Sequence, residues 1–171
     1  MTRTATAVRC LLLVAACALI AGCSHYSFSA AAKTHISTIA IPILENETVE
    51  YGTELGITNA LIEQFTSDNT LRIVGEDEAD SILRGAVVLY ERPVMSYDAG
   101  GTPLEYKVRV VAKLTYEDVT RGSTVWEEEV EGWAVYSVSG DSGELTTEEQ
   151  AQTRAYEKLS EDVLSKTVQG W

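Results

Sequence analysis

The sequence predicts an α+β fold in which two helices pack on one face of a mostly antiparallel sheet. Three long segments alternate apolar and polar residues, as half-buried strands do: residues 81–92, 104–118 and 124–136. Two further segments, residues 53–66 and 151–168, repeat apolar residues at helical spacing. A sheet with one apolar face and two amphipathic helices buries its apolar surface when both helices cover that face.

The chain opens with a pattern that is typical of an export signal. Arg3 and Arg9 precede an apolar run that ends with small residues at Gly22, just before Cys23. The run is about 13 residues long, whereas a membrane-spanning helix needs roughly 20. We therefore expect residues 1–22 to be a signal peptide that is removed.

The end of this segment, Ile-Ala-Gly-Cys, resembles the lipobox of bacterial lipoproteins. The resemblance implies cleavage before Cys23 and covalent acyl chains on it, which anchor a protein at on the order of 0.8 kcal/mol per buried methylene. Ser24 follows the cysteine, which favours the outer membrane by analogy with sorting in enteric bacteria. An ordinary signal peptide with a chance cysteine is the alternative. We expect residues 23–35 to be a lipidated tether and residues 36–171 to form one domain.

Charge and cysteine content exclude several classes of protein. The net charge is −13, and loss of Arg3 and Arg9 with the signal peptide would make it −15. So acidic a domain does not bind nucleic acid through its overall field, and an anionic membrane surface repels it. Cys10 and Cys17 would leave with the signal peptide, so we expect no disulfide.

The first half of the domain predicts a strand, a helix and a short strand. Isoleucines alternate on one face of residues 36–44, and Pro42 within them favours an edge position or an early end. The helix over residues 53–66 follows, and then a short strand over residues 71–74 and an acidic turn over residues 76–80.

The first long strand has two distinct predicted faces. Leu83, Val87 and Leu89 lie on one face, and Arg84 and Tyr90 lie on the other. The next two strands alternate in the same way.

Two connections carry further signals. Residues 93–103 contain two prolines and two glycines, which predicts a loop of about 11 residues. Long loops on small domains often carry function. Thr146 and Glu149 have the spacing of a capping box at the start of the last helix.

No residue pattern indicates a catalytic or metal site. The histidines, His25 and His35, both lie in the predicted tether. The chain has no metal-ligand spacing of Cys and His, no phosphate-binding glycine loop and no Gly-x-Ser-x-Gly. We therefore expect a protein that is not an enzyme and has no metal or cofactor, apart from the acyl chains on Cys23.

Basic residues on one predicted strand are the main candidates for binding. Lys107, Arg109 and Lys113 alternate there, and Arg92 lies at the mouth of the predicted loop. They suit anionic headgroups or an acidic partner wall. Alternatively, they form cross-strand ion pairs with the alternating glutamates of the next strand, at under about 1 kcal/mol each. Arg92 is the residue that this alternative explains least. Trp133 shares the face of the glutamates, where it is either part of a contact surface or half-covered by the twist of the sheet.

Two short motifs after the lipobox are fairly specific in this order. Residues 41–48 read Ile-Pro-x-x-Glu-Asn-x-Thr, and residues 79–85 read Ala-Asp-x-x-Leu-x-Gly. With them the mature chain resembles the LptE family of lipopolysaccharide-assembly lipoproteins. Further segments that carry the resemblance are residues 55–65, 97–98, 105–108, 125–127 and 149–159.

The resemblance implies a fold of two helices on a four-stranded sheet, in agreement with the pattern of the residues. It also implies a lipoprotein anchored on the periplasmic side of the outer membrane, where it plugs and helps to assemble the LptD β-barrel translocon for lipopolysaccharide. In this family, basic residues near the long loop are proposed to contact the lipid. Arg92, Lys107 and Arg109 are the candidate contacts for lipopolysaccharide or for the barrel here.

Two other classes of function stay open. A stand-alone lipoprotein of another envelope system would bind a small ligand or build a pore, and a pore subunit would form rings by itself. An anchored hydrolase would need a cleft with perturbed carboxylates. A plug, in contrast, would co-purify with its barrel.

Overall fold

The structure, a computed structural model, describes residues 35–138 and 147–169. The predicted signal peptide, the lipobox cysteine and nearly all of the predicted tether lie outside the described residues. In chain order the elements are β1 (Thr38–Ala40), β2 (Glu45–Asn46), α1 (Thr53–Asp68), β3 (Arg72–Ile73), a 3-10 turn (Glu76–Glu78), β4 (Ser81–Glu91), β5 (Val94–Tyr97), β6 (Pro103–Asp118), β7 (Ser123–Ser137) and α2 (Glu148–Gln169). None of the helices in these parts of the chain is long and apolar enough to cross a membrane.

The α+β class and the two helices are as predicted, but the sheet differs from the prediction. It has seven strands with mixed pairing, so the expectation of a four-stranded, mostly antiparallel sheet is wrong. β6 pairs antiparallel with β4, β5 and β7. However, β1 pairs in parallel with both β3 and β4, and β2 pairs in parallel with β4. Parallel pairs need a long crossover, and the connection from β1 to β3 contains α1.

Two prolines raise the number of strands. Pro42 lies between β1 and β2, which pair with successive parts of β4, and β2 lies just beyond the strand predicted over residues 36–44. Pro93 separates β4 from β5 in the same way, and both pair with β6. Because proline has no N–H to donate to a ladder, each of these prolines interrupts its strand.

The predicted loop over residues 93–103 is β5 and a tight turn. Asp98 Oδ1 accepts hydrogen bonds from the N–H groups of Gly100 and Thr102, at 2.8 Å each. Gly101 has a φ of +84°, where a side chain would be strained. The turn contains this aspartate and no basic residue.

A bulge in β4 reverses its predicted faces near the end. The register with β6 shifts between Val87 and Leu89. Leu83 and Val87 share one face, as predicted, and are buried under the helices, but beyond the shift Tyr90 packs against the same core. An extra residue in a strand moves the following side chains to the opposite face. The predicted faces of Leu89 and Tyr90 were therefore wrong.

Both helices pack on one face of the sheet. The alternation predicted for β6 is confirmed, because its inward residues are all buried: Val108, Val110, Ala112, Leu114 and Tyr116. The same core cluster takes Ile57, Leu61 and Phe65 from α1 and Ala151, Ala155, Leu159 and Val163 from α2. Alternating strand residues and helical stripes therefore meet in one continuous core.

Two glycines set the spacing of the layers. A Cβ on Gly132 of β7 would lie 2.0 Å from the backbone oxygen of Ala155 and 2.9 Å from the Cβ of Leu159. A Cβ on Gly56 of α1 would lie 2.5 Å from the ring of Tyr156 on α2. The backbone of β7 therefore approaches the backbone of α2 at Gly132, and the Tyr156 ring packs directly on the backbone of α1 at Gly56.

A capping box starts α2 one residue later than predicted. Thr147 Oγ1 accepts a hydrogen bond from the Gln150 N–H, and Gln150 Oε1 accepts one from the Thr147 N–H, both at 3.2 Å. Both pairs have the Thr-x-x-Glu/Gln spacing, so spacing alone does not distinguish them.

One end of the sheet, here called the tether end, fixes the start of the described chain. His35 Nε2 lies 2.6 Å from Asp118 Oδ2, at the end of β6. Asp118 Oδ1 accepts further hydrogen bonds from Thr120 Oγ1 at 2.6 Å and from the Arg121 N–H at 3.0 Å. Burial raises the pKa of Asp118, but the hydrogen bonds outweigh it and lower the pKa to about 2.

The close contact at Gly132 predicts a stability effect. Gly132→Ala forces a methyl group against the α2 backbone, so we expect a loss of about 1–3 kcal/mol in the free energy of unfolding, measured by urea denaturation. Gly75→Ala is the control, because its added Cβ meets no atom within 4 Å. Equal unfolding midpoints for the two variants would contradict the proposed packing.

The buried Asp118 predicts a dependence of stability on pH. Its folded pKa of about 2 lies below the unfolded value of about 3.9, so its stabilisation is present above about pH 4 and is lost as the pH falls to about 2. We expect Asp118→Asn to lower stability at pH 7 and to flatten the decline in stability between about pH 4 and pH 2. Thermal unfolding across that range, with the exposed Asp77→Asn as control, measures both effects. A decline as steep in Asp118→Asn as in wild type would refute this role.

Candidate functional site on the open sheet face

The face of the sheet opposite the helices, here called the open face, carries two neighbouring rows of charge. β6 and β7 pair from Glu105 opposite Ser137 to Asp118 opposite Ser123, so their outward residues lie side by side. The rows consist of Lys107, Arg109 and Lys113 on β6 and of Glu127, Glu129, Glu131 and Trp133 on β7. Outward residues of paired strands are close enough to form salt bridges.

Arg109 joins three strands of the open face. Its Nη1 donates to Glu91 Oε1 on β4 at 2.9 Å, and its Nη2 donates to Glu131 Oε2 on β7 at 2.8 Å. The hydrogen bonds to Glu131 and Glu91 raise the pKa of Arg109 above its ordinary value. The bond from Arg109 lowers the pKa of Glu131, in spite of partial burial. Both groups therefore stay charged at neutral pH.

The other two basic residues of β6 also have carboxylate partners. Lys107 Nζ lies 3.8 Å from Glu131 Oε1, and Lys113 Nζ lies 3.0 Å from Glu127 Oε1. The interpretation of these residues as cross-strand ion pairs is therefore confirmed. Such exposed pairs contribute little to stability individually.

Arg92 lies apart from the open face. It follows β4 at the end of the sheet opposite the tether end, here called the far end, and it points to the helix side. Its Nη1 forms an ion pair with Glu148 at the start of α2, and its Nη2 lies 3.9 Å from Glu50 Oε2, ahead of α1. The hydrogen bond with Glu148 raises the pKa of Arg92.

The three predicted contact residues therefore do not form one cluster. Lys107 and Arg109 share Glu131 on the open face, whereas Arg92 links the starts of the two helices on the other face. As expected, Arg92 does not pair with the alternating glutamates of β7, but it does have two carboxylate partners that are distant in sequence.

A groove of about 700 Å³ lies on the open face beside β2 and β4. Small residues, including Gly85, Ala86 and Thr115, form part of its lining. Five glutamates and two basic residues also line it: Glu45, Glu47, Glu76, Glu117, Glu127, Arg84 and Lys113. Each basic residue is paired with a glutamate, which leaves the groove negatively charged. A phosphorylated ligand is therefore repelled here.

The residues that form this fold match the model of a known protein family. The family model described as "LptE: Lipopolysaccharide-assembly" matches residues 36–167, which span all seven strands and nearly all of both helices. The chain belongs to the LptE family. No curated protein sequence matches it.

Solved structures similar to this LptE-family chain share its fold. The hypothetical protein CT253 of Chlamydia trachomatis has a TM-score of 0.54 at 8% identity, covering 77% of this chain and 95% of that chain. A minor lipoprotein of Acinetobacter baumannii has a TM-score of 0.50 at 15% identity, covering 80% and 95%. The rare lipoprotein B of Shewanella oneidensis has a TM-score of 0.50 at 14% identity, covering 77% and 95%. At these identities the likeness shows the fold alone.

Several residues of this LptE-family site were missed in the sequence. Lys158 of α2 lies 4.0 Å from the centroid of the Trp133 ring, and Glu148 pairs with Arg92. Both contacts depend on where α2 crosses β7, and no short-range pattern indicates that position. The groove was missed because it depends on the parallel pairing of β2 with β4.

The shared partner Glu131 predicts an effect that depends on salt. Glu131→Gln removes the charge that Arg109 and Lys107 share, so we expect a small loss of stability at low ionic strength. The loss should shrink near 1 M salt, where the Debye length is about 3 Å. Urea denaturation at two salt concentrations measures it, with Glu129→Gln as control. A loss that is unchanged by salt would show that Glu131 acts through packing instead.

Proposed function

We propose that this LptE-family protein is an outer-membrane lipoprotein, acylated on Cys23, that plugs and helps to assemble an LptD-type β-barrel for lipopolysaccharide transport. The observation that carries the proposal is the family match, which spans the strands and nearly all of both helices. The lipobox-like ending at Cys23 precedes the matched region and supports the anchor. The protein acts in this proposal by binding and assembly, without an enzymatic step.

The ion pairs favour a protein partner over direct binding of a phosphorylated lipid. Arg92, Lys107 and Arg109 each have a carboxylate within 4.0 Å in the described structure. A lipid phosphate would have to displace these carboxylates, and the acidic groove elsewhere on the open face would repel it. A protein partner can instead form hydrogen bonds with the exposed atoms of these ion pairs and leave the pairs intact.

The open face suits contact with a barrel wall. β6 and β7 have 16 and 15 residues, so they present a long twisted surface of regular side chains. Both helices bury their apolar faces in the core. We therefore assign the barrel contact to the open face and to the β5–β6 turn, and not to the helix faces.

The test is co-purification from detergent-solubilised outer membrane. The full chain, tagged at its C-terminus, is expected to bring down a large β-barrel protein in equal amount. The double charge reversal Lys107→Glu with Arg109→Glu is expected to lower the recovery of that barrel, because it turns two cations of the open face, the proposed contact, into acids.

The matched control is Arg154→Glu with Lys166→Glu, which changes the net charge equally on the outer side of α2. This control is expected to recover as much barrel as wild type, and circular dichroism checks the folding of both variants. Recovery of the wild-type chain alone, or as a homo-oligomeric ring, would overturn the proposal and favour a pore or a stand-alone lipoprotein.

A further inference from the structure

Trp133 is an exposed aromatic residue in the middle of charged neighbours. Its side chain lies on the open face with 42% of its surface accessible. A tryptophan exposes a large apolar surface to water at this level, at a cost of about 25 cal/mol per Å² of apolar area. Neither the core nor the ion pairs of the open face account for it.

Two ammonium groups hold the Trp133 ring. Lys107 Nζ lies 4.6 Å from the ring centroid, and Lys158 Nζ lies 4.0 Å from it. Both distances are within the range of a cation–π contact, and tryptophan is the best partner for one. The ring is therefore restrained in its free state, which lowers the entropy that it loses on binding.

The neighbouring glycine explains how a helix residue reaches the ring. Gly132 precedes Trp133 and lets the backbone of α2 approach β7 at Ala155. Lys158 follows Ala155 by about one helical turn, so its long side chain extends past β7 to the open face. The close packing of α2 on β7 at Gly132 thus also brings Lys158 to the Trp133 ring.

The charges around the ring form a partial border. Arg109 and Glu131 are paired at 2.8 Å, and Lys107 lies 3.8 Å from the same glutamate. Lys158 has no carboxylate within 4.0 Å among the described residues. Carboxylates are abundant in a chain with a net charge of −13, so an ammonium group without a carboxylate partner is unusual here.

We propose that Trp133 is the anchor residue of the contact with the barrel partner, and that it inserts into an apolar recess of that protein beside a carboxylate that pairs with Lys158. Binding hot spots are typically tryptophans with a polar border that excludes water. The unpaired ammonium group of Lys158 selects an acidic neighbour on the partner. This inference rests on the function proposed above.

The test compares variants of the full, acylated chain for binding to the purified barrel protein that co-purifies with wild type. Trp133→Ala is expected to raise the dissociation constant at least ~10-fold. Lys158→Glu is expected to weaken binding as well, and more strongly at low salt. Val119→Ala is the control, because Val119 is exposed to a similar degree, 46%, at the tether end.

The folding of each variant is checked by thermal unfolding. If Trp133→Ala does not fold, binding is measured with Trp133→Phe and Lys158→Met instead. Each of these substitutions keeps most of the apolar volume of the side chain that it replaces. Unchanged dissociation constants in Trp133 and Lys158 variants that still bind the barrel would overturn the anchor and leave the proposed function intact. If the wild-type chain recovers no barrel at all, the proposed function itself fails, and the anchor fails with it.

Discussion

The close approach of α2 to β7 at Gly132 is the constraint on which the rest of the structure depends. A Cβ there would lie 2.0 Å from the Ala155 backbone, so the distance between helix and sheet is set by the absence of a side chain. α2 in turn supports α1, through the contact of Gly56 with Tyr156. Helix layer and sheet therefore pack backbone against backbone at Gly132, the two helices pack ring against backbone at Gly56, and larger residues at these points would separate them.

The packing divides the sheet into a face buried under the helices and an open face that carries charge. The helix side takes most of the buried large apolar residues into one core. The open face keeps charge, and Arg109 ties β4, β6 and β7 together there. Because exposed ion pairs contribute little to stability, these charges are free to serve recognition with little effect on the fold. An acidic groove and a restrained tryptophan lie on the same face.

The sequence predicts those elements whose signals are local. The clean alternation of β6 predicted its buried residues, and helical spacing predicted α1 and α2. The parallel pairing of β1 and β2 was not predictable, because it depends on contacts between distant segments. The bulge beyond Val87 leaves no signature in the composition, and it reversed the faces of Leu89 and Tyr90.

The candidate site shows the same limit at the level of single residues. The rows of Lys107, Arg109 and the glutamates followed from period-two alternation on adjacent strands. The partners of Arg92 did not, because Glu50 and Glu148 come from segments that only the packed helices bring together. Lys158 could not be linked with Trp133 for the same reason. Sequence patterns therefore identify rows of charge, and the tertiary fold decides which charges pair.

Among residues 35–138 and 147–169, the long strand β7 pairs with β6 alone, so no described strand pairs with the other side of its backbone. An unpaired strand edge can form backbone hydrogen bonds with the same edge of a second copy of the chain. Four glutamates lie within this strand, at positions 127, 128, 129 and 131. If two copies paired edge to edge, these carboxylates would meet like charges on the opposite strand, at a cost that rises as water is excluded. The acidic strand thus works against edge-to-edge pairing of two copies of the domain.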